Sequence, residues 1–373
     1  MGEKSNGMRV LIIAGCGCAV LLSAVLCGCE PPVFESSTGY VDAIPPQTDT
    51  AESYFHTGNV YAKSGRYSQA VVAFKKAIAI NPDYAEAYHH MGIAYSRLGQ
   101  NADAISACKK AIAIKPDYAK PYNQLCASYG KLGKYDESLS ACKKAVALNP
   151  NYYQAYRNMG AIYGSMNRYD DALSVFKKAV AIKPDYADAH RDMGIAYDKL
   201  NRHAEAVTAM KKAIEINPNL DEAYYNLSFS YSQLGRYPDA LIACKKSIEI
   251  NPGHADSYKN LGMICVALEQ YSDAVDAFAT LTSMRPEDAE AYYNLGGVSA
   301  KVGRSNDAII AFKKAVALRP NYAMAYCHIG RAHMMLKQYP LAIEAFEKYL
   351  ALKPTGLVAA KVRGAVLKLR AQQ

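Results

Sequence analysis

The side chains with the clearest binding chemistry recur at one interval along the chain. At steps of 34 residues stand Phe55, His89, Asn123, Arg157, Arg191, Tyr225, Lys259, Tyr293 and Cys327. A guanidinium group forms bidentate hydrogen bonds with a carboxylate, and aromatic rings anchor apolar side chains at interfaces. Arginines and tyrosines in one register therefore predict recognition of an acidic, partly apolar ligand. Variation without selection for a ligand would produce the same series, and the sequence leaves that alternative open.

The sequence carries none of the common motifs of enzymatic catalysis. It has no nucleophile elbow, phosphate-binding loop or His-Glu zinc helix. Its histidines and cysteines lack the spacing of metal ligands. We therefore expect no catalytic residue, no metal and no cofactor. A substrate-recruiting subunit of an enzyme supplied in trans is the alternative.

A proline recurs every 34 residues, and this period indicates the elements that position those side chains. The prolines are Pro82, Pro116, Pro150, Pro184, Pro218, Pro252, Pro286, Pro320 and Pro354. With the proline at position 32 of each repeat, nine repeats begin at residues 51, 85, 119, 153, 187, 221, 255, 289 and 323. Units of this size cannot bury their apolar side chains alone and must stack on their neighbours. The period thus predicts a binding surface rather than an enclosed pocket.

Within each repeat the apolar pattern indicates two helices. Positions 4, 7, 8 and 11 form one stripe, and positions 20, 24 and 27 form a second. We expect the small residue at position 8 to face Ala or Ser at position 20, which would let the two helices approach closely. Gly or Asn at position 15 should close the first helix. Asp49 with Glu52, and Asp83 with Glu86, have the spacing of a capping box.

This pattern resembles that of the tetratricopeptide repeat family, which places aromatic, Leu-Gly, Tyr, Ala, Phe and Pro residues at these offsets. The first repeat matches it with Tyr54, Thr57, Gly58, Tyr61, Ala70, Phe74, Ala77 and Pro82. The resemblance implies an all-α fold, a right-handed superhelical solenoid of nine 34-residue helix-turn-helix units over residues 51–356. Residues 357–373 carry one more apolar stripe, with Val358, Val362, Ala365, Val366 and Leu369, and predict a capping helix.

The resemblance also implies a concave groove lined by the first helices. We expect an extended peptide or partner protein of unknown identity to bind there. The predicted lining comprises Phe55, Asn59, His89, Asn123, Arg157, Arg191, Tyr225, Phe229, Lys259, Tyr293 and Arg331. In this hypothesis Arg157 and Arg191 attract a carboxylate or an acidic segment, and Tyr225, Phe229 and Tyr293 stack on apolar side chains.

The formal charge of +9 does not indicate a nucleic-acid partner. Lysine pairs at positions 25 and 26 recur in seven repeats, from Lys75 and Lys76 to Lys313 and Lys314. They lie off the apolar stripe of the second helix, which is typical of a solvated outer face. A lysine ladder without interleaved aromatic residues is weak evidence for base reading. We therefore expect no nucleic-acid binding.

Residues 1–29 resemble a bacterial export signal with a lipobox. Lys4 and Arg9 precede an apolar run at residues 10–26. The tetrapeptide Leu26-Cys27-Gly28-Cys29 predicts cleavage before Cys29 and lipidation of that cysteine. Ile13-Ala14-Gly15-Cys16 also fits the pattern, but too few apolar residues precede Cys16. An uncleaved signal anchor is the alternative, because residues 10–28 are long enough to span a bilayer core.

Residues 30–50 read as a flexible, proline-rich tether. Together these features predict a membrane-anchored protein-interaction scaffold, an outer-membrane lipoprotein facing the periplasm that serves an envelope, pilus, secretion or polysaccharide-export complex. The alternative is an inner-membrane signal anchor with cytoplasmic repeats. Cys126 and Cys142 share one repeat, and the sequence leaves a disulfide between them open.

Overall fold

The computed structural model describes residues 49–372. The predicted export signal at residues 1–29, the lipidation site Cys29 and the tether up to residue 48 lie outside the described residues. Among residues 49–372 every regular element is an α-helix, as the sequence predicts. The described residues divide into two compact units, the first ending at Arg202 and the second beginning at His203.

Between residues 49 and 202 the first unit holds four complete helical hairpins and the first helix of a fifth repeat. Its helices are α1 Ala51–Lys63, α2 Tyr67–Ile80, α3 Ala85–Arg97, α4 Asn101–Ile114, α5 Ala119–Lys131, α6 Tyr135–Leu148, α7 Tyr153–Ser165, α8 Tyr169–Ile182 and α9 Ala187–Lys199. Each second helix packs on the first helix of its own repeat and on the next first helix along the chain. The apolar core therefore runs continuously through the stack.

The second unit begins with the second helix of the fifth repeat. Its helices are α10 His203–Ile216, α11 Asp221–Gln233, α12 Tyr237–Ile250, α13 Ala255–Ala267, α14 Tyr271–Met284, α15 Ala289–Lys301, α16 Ser305–Leu318, α17 Ala323–Met335, α18 Tyr339–Leu352 and α19 Leu357–Arg370. The last helix, α19, packs on α18 and buries Ala359, Val362, Val366 and Leu369 there. Val358, which the sequence places in this stripe, is more than a third exposed.

A glycine at position 8 lies against the side chain at position 24 in most hairpins. A methyl group on Gly160 would lie 2.3 Å from Phe176 Cε1, and one on Gly58 would lie 2.4 Å from Phe74 Cε1. Carbon atoms in contact are normally about 3.5 to 4 Å apart, so only glycine fits beside the ring. Position 20 lies at the same crossing, where Ser138 Oγ donates to the Cys126 carbonyl at 2.6 Å. Position 8 therefore faces position 20 as expected, but the side chain nearest to the glycine is the one at position 24, which the sequence pattern did not indicate.

In two hairpins both residues of this contact are replaced by other residue types. In the third repeat Cys126 replaces glycine and Cys142 replaces the aromatic residue, and the two are joined in a disulfide across the hairpin. A bond that closes a loop of 16 residues stabilises the folded state by about 3 kcal/mol in the chain-entropy model. In the sixth repeat Ser228 faces Cys244, whose thiol it hydrogen-bonds. A larger residue at position 8 is thus matched by a smaller one at position 24.

Position 15 closes the first helix in the left-handed conformation, as predicted. Gly65, Gly99, Gly133, Gly235 and Gly303 have φ between 71° and 78°, and Asn167 and Asn201 have φ of 58°. Glu269 and Lys337 occupy the same place with φ of 61° and 59°. The left-handed region costs a residue with a side chain about 1 to 2 kcal/mol. Packing of the hairpin therefore overrides local preference in the seventh and ninth repeats.

The predicted capping boxes are wrong. The first helix is capped by Thr50, whose Oγ1 accepts from Ser53 N at 3.2 Å, while Asp49 accepts a hydrogen bond from the Tyr54 hydroxyl. At the second repeat the helix begins one residue later than the box requires, with Tyr84 in the N-cap position. The Asp83 amide is instead held by Asn81 Oδ1 in a local turn.

Candidate partner-binding surface

The residue at position 5 does not simply point into a groove, because it touches the next repeat. In the first repeat the Phe55 ring packs against Tyr84 and His90, with ring centroids 4.9 Å apart in both pairs. Tyr84 is position 34 of the same repeat, and His90 is position 6 of the next one. Asn59 joins the contact through its Oδ1, 2.6 Å from His90 Nδ1. Positions 5, 6 and 34 thus form a staple between neighbouring first helices, and we call this the inter-repeat staple.

The staple becomes polar in the middle of the first unit. His89 Nδ1 lies 3.2 Å from the Tyr118 hydroxyl, and burial lowers the pKa of His89 well below its ordinary value. Asn123 donates to the Tyr152 hydroxyl at 3.4 Å and accepts from Asn158 at 3.0 Å. Asn123 is fully buried. Neither His89 nor Asn123 is available to a ligand, so their predicted place in the groove lining is wrong.

An ion cluster forms the staple between the fourth and fifth repeats. Arg157 Nε donates to Asp192 Oδ2 at 2.8 Å, and Arg191 Nη2 donates to Asp192 Oδ1 at 3.0 Å. Arg191 also lies 3.3 Å from Asp188. Burial opposes ionisation of the Asp192 carboxyl, but the two guanidinium groups outweigh it and hold its pKa below the ordinary value. Two positive charges therefore face the buried carboxylate of Asp192 and the partly exposed carboxylate of Asp188.

The hypothesis that Arg157 and Arg191 attract a partner's carboxylate is therefore wrong. Only 3% of Arg157 and 7% of Arg191 are exposed. Both guanidinium groups pair instead with the carboxylate of Asp192 in the same chain. A buried guanidinium needs such a partner, because an unpaired buried charge costs several kcal/mol (about 3 to 5 when one partner is removed).

The predicted lining of the second unit remains accessible. Tyr225, Phe229, Lys259 and Tyr293 are all partly exposed, and Arg331 is exposed. Tyr225 packs on His254 with centroids 4.9 Å apart, and Tyr293 stacks on Tyr322 at 4.6 Å. Lys259 Nζ lies 3.3 Å from Glu290 with both side chains partly exposed. Aromatic faces and cationic groups are thus available on the first helices of this unit.

Sequence reasoning missed position 6, although the signal was present. The partner of position 5 lies 35 residues further along the chain, as for Asn123 with Asn158 and Arg157 with Asp192. Each pair is chemically complementary: amide with amide, guanidinium with carboxylate. Comparing position 5 of one repeat with position 6 of the next would have revealed the contact.

Other kinds of site find little support in the described part of the chain. Between residues 49 and 372 no three His, Cys, Asp or Glu side chains are grouped as a metal ion would require. No helix in that range is both long and apolar enough to cross a bilayer. The lysine pairs of the first unit, from Lys75 and Lys76 to Lys177 and Lys178, are exposed on its second helices.

Family models described as TPR or tetratricopeptide repeats match nearly all of the described residues. The matches cover residues 58–99, 85–118, 117–185, 165–228, 219–287, 260–323 and 300–356. The chain has no significant match among the curated proteins.

Several solved structures are similar to this chain. A crystal structure of MamA protein is 29% identical with a TM-score of 0.39, covering 45% of this chain and 92% of that one. YrrB, described as a TPR protein with an unusual peptide-binding site, is 24% identical with a TM-score of 0.45, covering 50% and 96%. The Cut9–Hcn1 hetero-tetramer of APC/C is 16% identical with a TM-score of 0.49, covering 88% and 78%.

Asp192→Asn should destabilise the contact between α7 and α9 by about 3 to 5 kcal/mol at neutral pH, because it leaves two guanidinium groups underneutralised. The pKa of Asp192 is lowered on folding. The contribution of Asp192 to the free energy of unfolding is therefore present above the ordinary carboxyl pKa of about 4. It is lost as the pH falls through the pKa that Asp192 has in the folded state. The deficit of the variant, measured by hydrogen exchange of α7 and α9 amides, should shrink as the solution is acidified.

The control is Asp171→Asn, which removes an exposed ion pair with Arg168. It should cost at most about 1 kcal/mol, because exposed pairs are screened by solvent. Equal losses for the two variants at neutral pH would contradict the assignment of Asp192 as the partner of Arg157 and Arg191.

Proposed function

We propose that this chain, which belongs to the tetratricopeptide repeat family, is a non-enzymatic protein-interaction scaffold anchored in a bacterial cell envelope. The observation that carries the proposal is the unbroken run of repeat matches from residue 58 to residue 356. Repeats of this kind present extended surfaces to partner proteins rather than an enclosed reaction chamber. Membership of this family supports a role in protein–protein interaction. The membrane anchor and the kind of partner are our proposals.

Two features support export from the cytoplasm. The leader resembles a signal with a lipobox ending at Cys29. The buried disulfide between Cys126 and Cys142 is typical of proteins in oxidising compartments, since cytosolic thiols are kept reduced. The disulfide therefore favours an outer-membrane lipoprotein facing the periplasm over a signal anchor with cytoplasmic repeats.

The accessible first-helix residues of the second unit are the best candidates for partner binding. Tyr225, Phe229 and Tyr293 offer aromatic surface, and Lys259 and Arg331 offer positive charge. Tyrosine, phenylalanine and arginine supply much of the binding energy in protein interfaces. We propose that an extended segment of a partner, apolar with acidic flanks, binds these residues. The partner that carries this segment would be a subunit of an envelope, pilus, secretion or polysaccharide-export assembly. The alternative partner is an enzyme that uses the scaffold to recruit its substrate.

Metabolic labelling with a fatty-acid analogue tests the anchor. The full chain should incorporate the label, and Cys29→Ser should abolish incorporation because it removes the acylated thiol. Cys16→Ser is the matched control, since Cys16 also ends a lipobox-like tetrapeptide. Its labelling should be unchanged. Labelling that survives in Cys29→Ser, or that is absent from the wild-type chain, would contradict the lipoprotein assignment.

A photo-crosslinking residue at position 229 tests the binding surface in cells. It should give one discrete adduct, and Lys259→Glu with Arg331→Glu should reduce that adduct because the charge pattern is reversed. A crosslinker at position 310 is the control, because Ile310 is 67% exposed on α16, a second helix. It should give no such adduct. An adduct equally strong at both positions, or one insensitive to the charge reversal, would contradict this surface.

A further inference from the structure

Helix α19 has the register of a first helix, and the described residues hold no second helix for it. Counting on from residue 323, the next repeat begins at residue 357, which places Gly364 at position 8. The glycines at position 8 of five other repeats each lie against the ring of a phenylalanine: Gly58, Gly160, Gly262, Gly296 and Gly330. A methyl group on Gly364 would meet no atom within 4 Å. The surface that receives a second helix elsewhere is open here.

This open face of α19 is apolar. Leu357 is 74% exposed and Leu367 is 67% exposed, with Ala360 and Gly364 between them on the same side of the helix. The two leucines are ten residues apart, or about 15 Å along the helix axis, which is the length of nearly three turns. The opposite face is already buried on α18. A helix that only closed the stack would need a polar outer face.

The charges beside this face point to an acidic partner. Lys361 and Lys368 are exposed, and each directly follows an apolar residue of this face, Ala360 and Leu367 respectively. Arg363 and Arg370 are directed back to the ninth repeat, where Arg363 donates to the Pro354 carbonyl and Arg370 pairs with Glu347. No acidic residue occurs between residues 357 and 373. A second copy of α19 would place lysine against lysine, so charge complementarity disfavours self-association through this face.

We propose that the open face of α19 docks an amphipathic helix of a partner protein. An aromatic side chain of that helix lies against Gly364, in the way that Phe346 lies against Gly330 in the ninth repeat. Apolar side chains cover Leu357 and Leu367, and carboxylates of the partner helix lie beside Lys361 and Lys368. This surface is separate from the aromatic surface of the preceding first helices and does not depend on lipidation.

A peptide copied from the protein itself provides the probe. The sequence of α18, residues 339–352, carries a phenylalanine at position 24 and the acidic residues Glu344 and Glu347. The labelled peptide is titrated into the full chain in nanodiscs of neutral lipid and followed by fluorescence anisotropy. We expect saturable binding, weakened at least tenfold when the peptide carries Phe346→Ala.

Gly364→Ala is the decisive variant of the protein. Its methyl group occupies the place of the incoming ring, so we expect at least a tenfold loss of peptide affinity. The same change should leave α19 as stable or more stable, because alanine is the better helix former and the methyl group meets nothing in the free protein. Unchanged or increased thermal stability together with lost binding excludes unfolding as the cause. Lys361→Glu with Lys368→Glu should weaken the same peptide through charge repulsion.

Three results would overturn the proposal. The first is the absence of saturable peptide binding, or equal binding to the wild-type chain and to Gly364→Ala. The second is protection of α19 amides from hydrogen exchange in nanodiscs of anionic lipid but not of neutral lipid, without peptide, which would assign the face to the membrane. The third is a concentration-dependent dimer that Leu367→Glu dissociates, which would assign the face to a second copy of this chain.

Discussion

The fit between position 8 and position 24 holds the hairpins within each unit together, and the rest of the fold depends on it. Phe74, Phe176, Phe278, Phe312 and Phe346 are almost fully buried, each with its ring over the glycine of the facing helix. Protein interiors are packed as densely as organic crystals, so this crossing tolerates neither an added methyl group nor a void. Two hairpins differ from this pair at both positions, with Cys126 beside Cys142 and Ser228 beside Cys244, whereas the second repeat keeps Gly92 beside Cys108. A residue larger than glycine at position 8 therefore occurs with a small residue at position 24, whereas a small residue at position 24 also occurs beside glycine.

Once the hairpins are closed, the inter-repeat staple joins one to the next, and this decides where a partner can bind. In the first unit the staple uses the amides of Asn123 and Asn158 and the charges of Arg157 and Asp192, all buried. Such groups require one defined neighbour, because an unsatisfied buried polar group costs about 1 to 3 kcal/mol. These amide and charged groups are therefore paired within the chain and do not contact a partner. In the second unit position 5 carries Tyr225, Lys259 and Tyr293, which are partly exposed and leave area for a ligand, and only Cys327 at this position is buried.

The sequence predicted the elements well and the contacts between them poorly. The 34-residue period determined the repeat boundaries, and Gly or Asn at position 15 marked the end of the first helix, because a left-handed residue leaves a local signature. The place of Phe74 against Gly58 was not predicted, because helical periodicity shows which residues share a stripe but not which of them meets the facing helix. The role of Arg157 was misjudged for a similar reason. Its partner Asp192 lies 35 residues further along the chain. An arginine in a sequence does not show whether its guanidinium group pairs inside the chain or binds a ligand.

The most direct test of this account transfers the pair of the sixth repeat into the fourth. Gly160→Ser should destabilise the hairpin by about 1 to 3 kcal/mol through overpacking, and Phe176→Cys by about 2 to 5 kcal/mol through a cavity. Hydrogen exchange of α7 and α8 amides in the full chain measures each loss. If volume at the crossing is the controlling quantity, the double variant will lose at least about 1 kcal/mol less than the sum of the single losses. Additive losses would contradict the central claim.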